Sequence, residues 1–145
     1  MAQAVTKSGV INTGPDAIRS VLLDVPGYPN WQNECRKAEL LTSDDQGRPA
    51  TARMSISAMG QAAEYVVEYL YPDEQTIGWK LVEGDLITQN DATFVVQDKG
   101  DGTSAIDVEL QIDVRFNLPD FMINTMMAKG AKDFIRGLKR LAEGA

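Results

Sequence analysis

From Thr103 to Phe116 the chain alternates without a break. Ile106, Val108, Leu110, Ile112, Val114 and Phe116 fall on one face, and Asp107, Glu109, Gln111, Asp113 and Arg115 on the other. That is the pattern of a strand with one buried and one wet side. Asn117-Leu118-Pro119 stops it, and the period changes to 3.6. Between Pro119 and Ala142, the residues Ile123, Met127, Phe134, Leu138 and Leu141 share one helical line, flanked by Met126, Gly130, Ala131, Ile135 and Ala142. Lys129, Lys132, Asp133, Arg136, Lys139, Arg140 and Glu143 fill the opposite arc. At ~1.5 Å per residue this helix is a rod of about 36 Å. A rod with so broad an apolar face must lie on something, and what precedes it is sheet.

Residues 3–12 carry a weak strand signal. Thr13-Gly14-Pro15-Asp16 opens a short helix, with proline near its first position and an acid in its first turn. Pro26 ends that helix at Val25, because it disfavours helical geometry for the residue before it. Pro26 to Trp31 reads as a turn with at most one more helical turn, leaving Tyr28 and Trp31 on a connector. Strands follow at Cys35–Ser43, Ala50–Ala58, Ala62–Tyr71, Gln75–Val82 and Leu86–Gln97, separated by turn signals such as Asp44-Asp45-Gln46-Gly47 and Glu83-Gly84-Asp85. Their inner sets are Ala52, Met54, Ile56 and Ala58; Tyr65, Val67, Tyr69 and Tyr71; Ile77, Trp79 and Leu81; and Ala92, Phe94 and Val96. The predicted fold is α+β. A curved antiparallel sheet of about seven strands wraps a long C-terminal helix, with two short helices after the first strand. Residues 1–145 form a single domain, and a gap between sheet and helix is a natural apolar pocket.

Composition narrows the chemistry. The net charge of −7 argues against a nucleic-acid partner. The apolar runs are too short for membrane insertion, and the N-terminus lacks the signature of a secretory signal. The single cysteine, Cys35, fits a cytoplasmic location. With no histidine, Ser-His-Asp and Cys-His constellations and histidine-ligated zinc are excluded. The acidic clusters coincide with turns and lack a calcium-loop ligand series, so no metal and no cofactor is assigned.

Several stretches carry a resemblance. They are Pro15-Asp16-Ala17-Ile18, Leu23 to Trp31, Trp79-Lys80-Leu81-Val82-Glu83-Gly84, Gly102-Thr103, Leu118-Pro119-Asp120-Phe121 and Leu138-Lys139-Arg140. Over nearly its whole length the chain resembles the START/Bet v 1-like (SRPBCC) superfamily. The branch is the one called polyketide cyclase/dehydrase and lipid transport, and the likeness is greatest to its small stand-alone bacterial members. The resemblance implies a helix-grip fold with an internal cavity for a hydrophobic molecule.

The ligand-binding candidates are Trp31, Met54, Tyr65, Val67, Tyr69, Trp79, Leu81, Phe94, Met126, Gly130 and Phe134. The rings among them combine an apolar body with, for Tyr and Trp, a polar tip suited to a flat or lipidic ligand; filling the core is the other reading. Gly130 and Gly137, seven apart on the long helix, leave room for a ligand or allow close backbone packing. Phe121 and Met122 lie off the apolar arc, as a portal, a partner contact or a cover for the mouth. Asn124 lies inside that arc and needs a partner or a wet cavity.

No catalytic residue is assigned. In the patterned strands Arg53, Glu64, Glu68, Lys80, Asp107, Glu109, Asp113 and Arg115 fall opposite the apolar set, so tyrosine hydroxyls and Asn124 are the polar groups left inside. The leading expectation is binding or transport of a hydrophobic small molecule such as a lipid, quinone or polyketide. Polyketide cyclase/dehydratase chemistry on a cavity-bound chain is the alternative. A protein-interaction module acting through Trp31, Phe121 and Met122 is a further one. Whether a reaction is catalysed, and the oligomeric state, stay open.

Overall fold

The computed structural model describes residues 4–58, 60–115 and 117–144. Phe116, expected on the inner face of the last strand, lies outside them. One antiparallel sheet contains β1 (Val5–Ile11), β2 (Cys35–Ser43), β3 (Pro49–Ala58), β4 (Gln61–Asp73), β5 (Thr76–Gly84), β6 (Ile87–Asp98) and β7 (Ser104–Val114). The spatial order is β1-β7-β6-β5-β4-β3-β2. Strands β2 to β7 are therefore a meander, and β1 returns to pair with β7, Val5 opposite Leu110 and Ile11 opposite Ser104. Helix α1 (Pro15–Leu23) and a 3-10 helix (Val25–Asn30) follow β1, and α2 spans Asp120–Gly144.

Helix α1 stops two residues short of the expected Val25. The Asp24 N–H bonds back to the Val21 carbonyl and the Gly27 N–H to that of Asp24. Pro26 thus ends the α-helical geometry from a little further away than expected, and the tighter 3-10 turn accommodates it.

The alternation holds along the strands: Ala92, Phe94 and Val96 of β6 and Ile106, Val108 and Leu110 of β7 are all buried. Curvature comes from irregular pairing. Val66 opposes Glu83 but Val67 opposes Leu81, so Val82 is skipped; Ile87 opposes Val114 but Gln89 opposes Asp113, so Thr88 is skipped. Each extra residue bends and twists its strand. The sheet becomes a cup, and Val82 is turned out to solvent.

Helix α2 buries Ile123, Met127, Ala131, Leu138 and Ala142 into that cup. Near its start the Met127 sulfur accepts the Ile112 N–H at 3.1 Å, in the part of β7 beyond its pairing with β1. Near its end the Glu143 carboxylate accepts the Asn12 N–H at 2.8 Å. The closest approach lies between: a Cβ on Gly137 would stand 2.2 Å from the Trp31 carbonyl oxygen. Glycine at 137 is therefore a packing requirement. Gly130 differs, since a Cβ there would meet only the Leu110 Cδ1, at 3.7 Å. Among the described residues no helix is long and apolar enough to cross a membrane.

The two glycines should respond oppositely to alanine. Gly137→Ala gains helix propensity but drives a methyl into the connector backbone, a strain of about 1–3 kcal/mol, so its melting temperature should fall. Gly130→Ala meets no clash, gains up to about 1 kcal/mol of propensity and should melt higher. Thermal denaturation of the two variants beside the parent checks the pair; a more stable Gly137→Ala would contradict the close seat.

Candidate functional site

Beneath the first half of α2 the rod and the cup separate and leave a cavity of about 100 Å³. Met126, Met127, Gly130, Asp133 and Phe134 form its α2 wall. Ile87 and Asn90 of β6 and Leu110, Ile112 and Val114 of β7 line it from the sheet, with Ala63 and Tyr65 of β4 and Trp79 of β5. Gln32, Asn33, Glu34 and Cys35, leading into β2, close one side, near Ile56, Gln61 and Leu86. Asn33, Glu34 and Gln61 are exposed, so the cavity reaches the surface there.

Its floor is aromatic. Trp79 lies 5.2 Å from Phe94, Phe94 stacks on Phe134 at 5.9 Å, and Phe134 meets Trp31 edge-on at 5.5 Å. Tyr28 joins Trp31 at 5.4 Å to Trp79 at 6.1 Å, which closes the circuit of rings. Such contacts each add about 0.5–1.5 kcal/mol beyond area burial. They fix the two rings, Trp79 and Phe134, that face the cavity.

Polar groups share the lining with these rings. The Trp79 indole N–H donates to the Asn90 Oδ1 at 3.2 Å. Burial pushes the Tyr65 phenol above its ordinary pKa, Cys35 adding to the rise and a hydrogen bond from Asn90 opposing it. Tyr65 is therefore a neutral hydroxyl at physiological pH. Burial likewise pushes the Cys35 thiol up to about 11, and its Sγ donates to the Lys37 carbonyl at 3.6 Å. Partial burial raises the Glu34 carboxyl; Lys129 opposes the rise and Asp133 adds to it.

Of the sequence candidates, Tyr65, Trp79, Met126, Gly130 and Phe134 meet around this space. Trp31, Met54, Val67, Tyr69, Leu81 and Phe94 lie in or against the packed core beside it. Trp31 is under α2, 2% exposed, and not over a rim. Tyr69 is held by a hydrogen bond to Tyr28 at 2.5 Å; the Tyr28 hydroxyl donates onward to the Leu22 carbonyl, leaving Tyr69 as the donor to Tyr28.

Asp133 corrects the expectation of a wholly solvated arc, because it lines the cavity while bonding Lys129 at 2.8 Å. It follows Met126 by seven residues and Gly130 by three, the spacing of one helical stripe, so the wheel contained the signal. Asn90 shares its parity with Ala92, Phe94 and Val96, and Gln61 shares its own with Ala63 and Tyr65; both were findable by alternation. Gln32 and Glu34, on an irregular connector, gave no such signal. Asn124 does not line the cavity, and its buried Oδ1 has no hydrogen-bond partner among the described residues. Phe121, for which a cover for the mouth was one of three readings, is 71% exposed. Among the described residues no group of three or more Cys, Asp or Glu is placed to hold a metal ion.

A sheet gripping a helix over an apolar hollow defines the class, and the comparisons agree. The chain belongs to the family described as polyketide cyclase / dehydrase and lipid transport, whose model matches residues 2–144. Among solved structures it is similar to a START superfamily protein from Mycobacterium smegmatis, with a TM-score of 0.90, 23% identity and coverage of 98% of this chain and 99% of that one. A Thermus thermophilus protein matches at a TM-score of 0.79 and 18% identity, covering 98% of each chain. A Streptomyces aromatase/cyclase, Zhui, matches at 0.75 and 14% identity, covering 98% of this chain and 92% of that one. At these identities the structural matches speak for the fold. No curated protein matches the chain.

Cys35 offers a direct check on the buried thiol. With its pKa at about 11 against ~8.5 for a free cysteine, its thiolate fraction at about pH 8 falls by roughly two orders of magnitude. Alkylation by iodoacetamide should be slowed at least that much in the native protein relative to the urea-unfolded chain. Reaction at the unfolded rate would place the thiol in water.

Proposed function

We propose that this protein binds an apolar small molecule, a lipid, quinone or polyketide, in the cavity between α2 and the sheet, and acts as a container for it. One observation carries the reading: Met126, Met127 and Phe134 on the helix and Trp79, Leu110 and Ile112 on the sheet give the space a mostly apolar lining. The strand charges Arg53, Glu64, Glu68 and Lys80 pair with one another or with Glu39 and do not line the cavity under α2. A lone buried thiol fits a cytoplasmic setting.

One observation favours the second reading, cyclase or dehydratase chemistry. Tyr65 lines the cavity together with Asn90, and its hydroxyl could polarise a ligand carbonyl while the walls order the chain for ring closure. Of the three residues of the interaction-module reading, Trp31 is buried and Phe121 and Met122 are exposed.

Extraction of the purified protein into organic solvent, followed by mass spectrometry, should release an apolar molecule near one per chain. Gly130→Leu, which fills the space under α2, should abolish that recovery while the protein stays folded by circular dichroism. Equal recovery from the filled variant would move the binding site elsewhere.

A further inference from the structure

We infer that the Tyr65 and Gln32 donors lining the cavity make a subsite for an uncharged oxygen acceptor, the carbonyl of a ketone, ester or amide carried on an apolar body, and that it turns carboxylates away. The inference rests on the cavity being a ligand site and adds which chemistry it selects.

The donors follow from hydrogen-bond accounting. An indole N–H can only donate, so its 3.2 Å contact orients the Asn90 amide with Oδ1 towards Trp79. Tyr65, 8% exposed, lines the same cavity, and its hydroxyl carries a proton it can donate there. Gln32 supplies a second donor. It is 7% exposed, lines the same cavity, and its buried Nε2 has no hydrogen-bond partner among the described residues. A buried donor without a partner is destabilising, and an acceptor from a ligand relieves that.

Charge decides which acceptor. The two charged side chains lining the cavity, Glu34 and Asp133, are both acids. The nearby cations, Lys129 at 2.8 Å and Arg136 at 3.9 Å, both pair with Asp133 and stand on its solvent side, their side chains 67% and 76% exposed. Neither lines the cavity. A carboxylate ligand would lose its water beside two acids with no cation to meet it. A neutral carbonyl needs only the two donors.

Three matched probes test this on the ¹⁵N-labelled protein at neutral pH: acetophenone, its near-isostere isopropylbenzene without the acceptor, and benzoate. Acetophenone and isopropylbenzene should both shift the Trp79 indole N–H resonance, and benzoate at the same concentration should not. Tyr65→Phe should weaken acetophenone relative to isopropylbenzene by roughly three- to tenfold, the worth of one hydrogen bond. Gln32→Met should do the same, and serves if the tyrosine variant fails to fold. Benzoate binding as tightly as acetophenone would overturn the proposal. An affinity ratio unchanged in both variants would also overturn it, since the donors would then merely hold water, while the cavity stayed a ligand site. Binding of none of the three would remove the cavity reading together with the subsite.

Discussion

The architecture depends on where α2 is allowed to touch. Gly137 brings the helix backbone against the Trp31 carbonyl, closer than any side chain would permit. Two residues earlier, the Ile135 Cγ2 lies 3.0 Å from where a Cβ would stand on Gly9 of β1. These small residues seat the C-terminal half of the rod. A helix is stiff, whereas the sheet bends away through its twist and the bulges at Val82 and Thr88. A straight rod cannot follow a curved surface along its whole length: α2 touches at Ile123 and Met127, packed with Val5 and Ile112, and again at Gly137, and leaves room between. The cavity under residues 126–134 is that separation.

The aromatic circuit turns this geometry into a defined wall. Tyr28 and Trp31 come from the connector, Trp79 and Phe94 from neighbouring strands, and Phe134 from the helix, so one cluster ties together every layer of the protein. Ring-to-ring contacts restrict orientation as well as position. The Trp79 indole therefore points its N–H at Asn90 and not into the hollow. The same ring that closes the apolar floor also orients the Asn90 amide.

The fold was legible in the sequence because period is a direct record of which face is wet. Strand β2 was read at Cys35–Ser43 as it stands, and the switch from alternation to a 3.6 period after Asn117 marked the start of α2. The site was legible only in part, for a physical reason. Alternation says which side of the sheet Val67, Phe94 and Tyr65 occupy, but not how far the opposing helix is from each. That distance depends on Gly137 and on bulges, which leave only faint marks in a pattern of apolar and polar residues. Val67 and Phe94 are thus packed solid, while Tyr65, on the same face, looks into space. The glycine pair shows the limit: close packing describes Gly137 and open room describes Gly130, and nothing in their spacing distinguishes the two. Asp133 was read as solvent-facing by residue type, although its helical position matched the cavity stripe.

The hollow also has an energetic signature. Left dry, about 100 Å³ of unfilled core costs on the order of 2 kcal/mol at ~24 cal/mol per Å³. That is a sizeable share of the roughly 5–15 kcal/mol that holds a domain together. Alanine at position 130 would occupy part of the space without a clash and remove the helix penalty of glycine. The chain thus forgoes stability twice at one residue. The void is smaller than the ~150 Å³ that admits benzene, so a larger guest must displace something. The movable parts are in place: Met126 and Met127 are unbranched and flexible, and they form the helix wall at the end away from the rigid seat on Trp31. Rigidity at one end of the rod and adaptable side chains at the other are what a container needs to open without losing its shape.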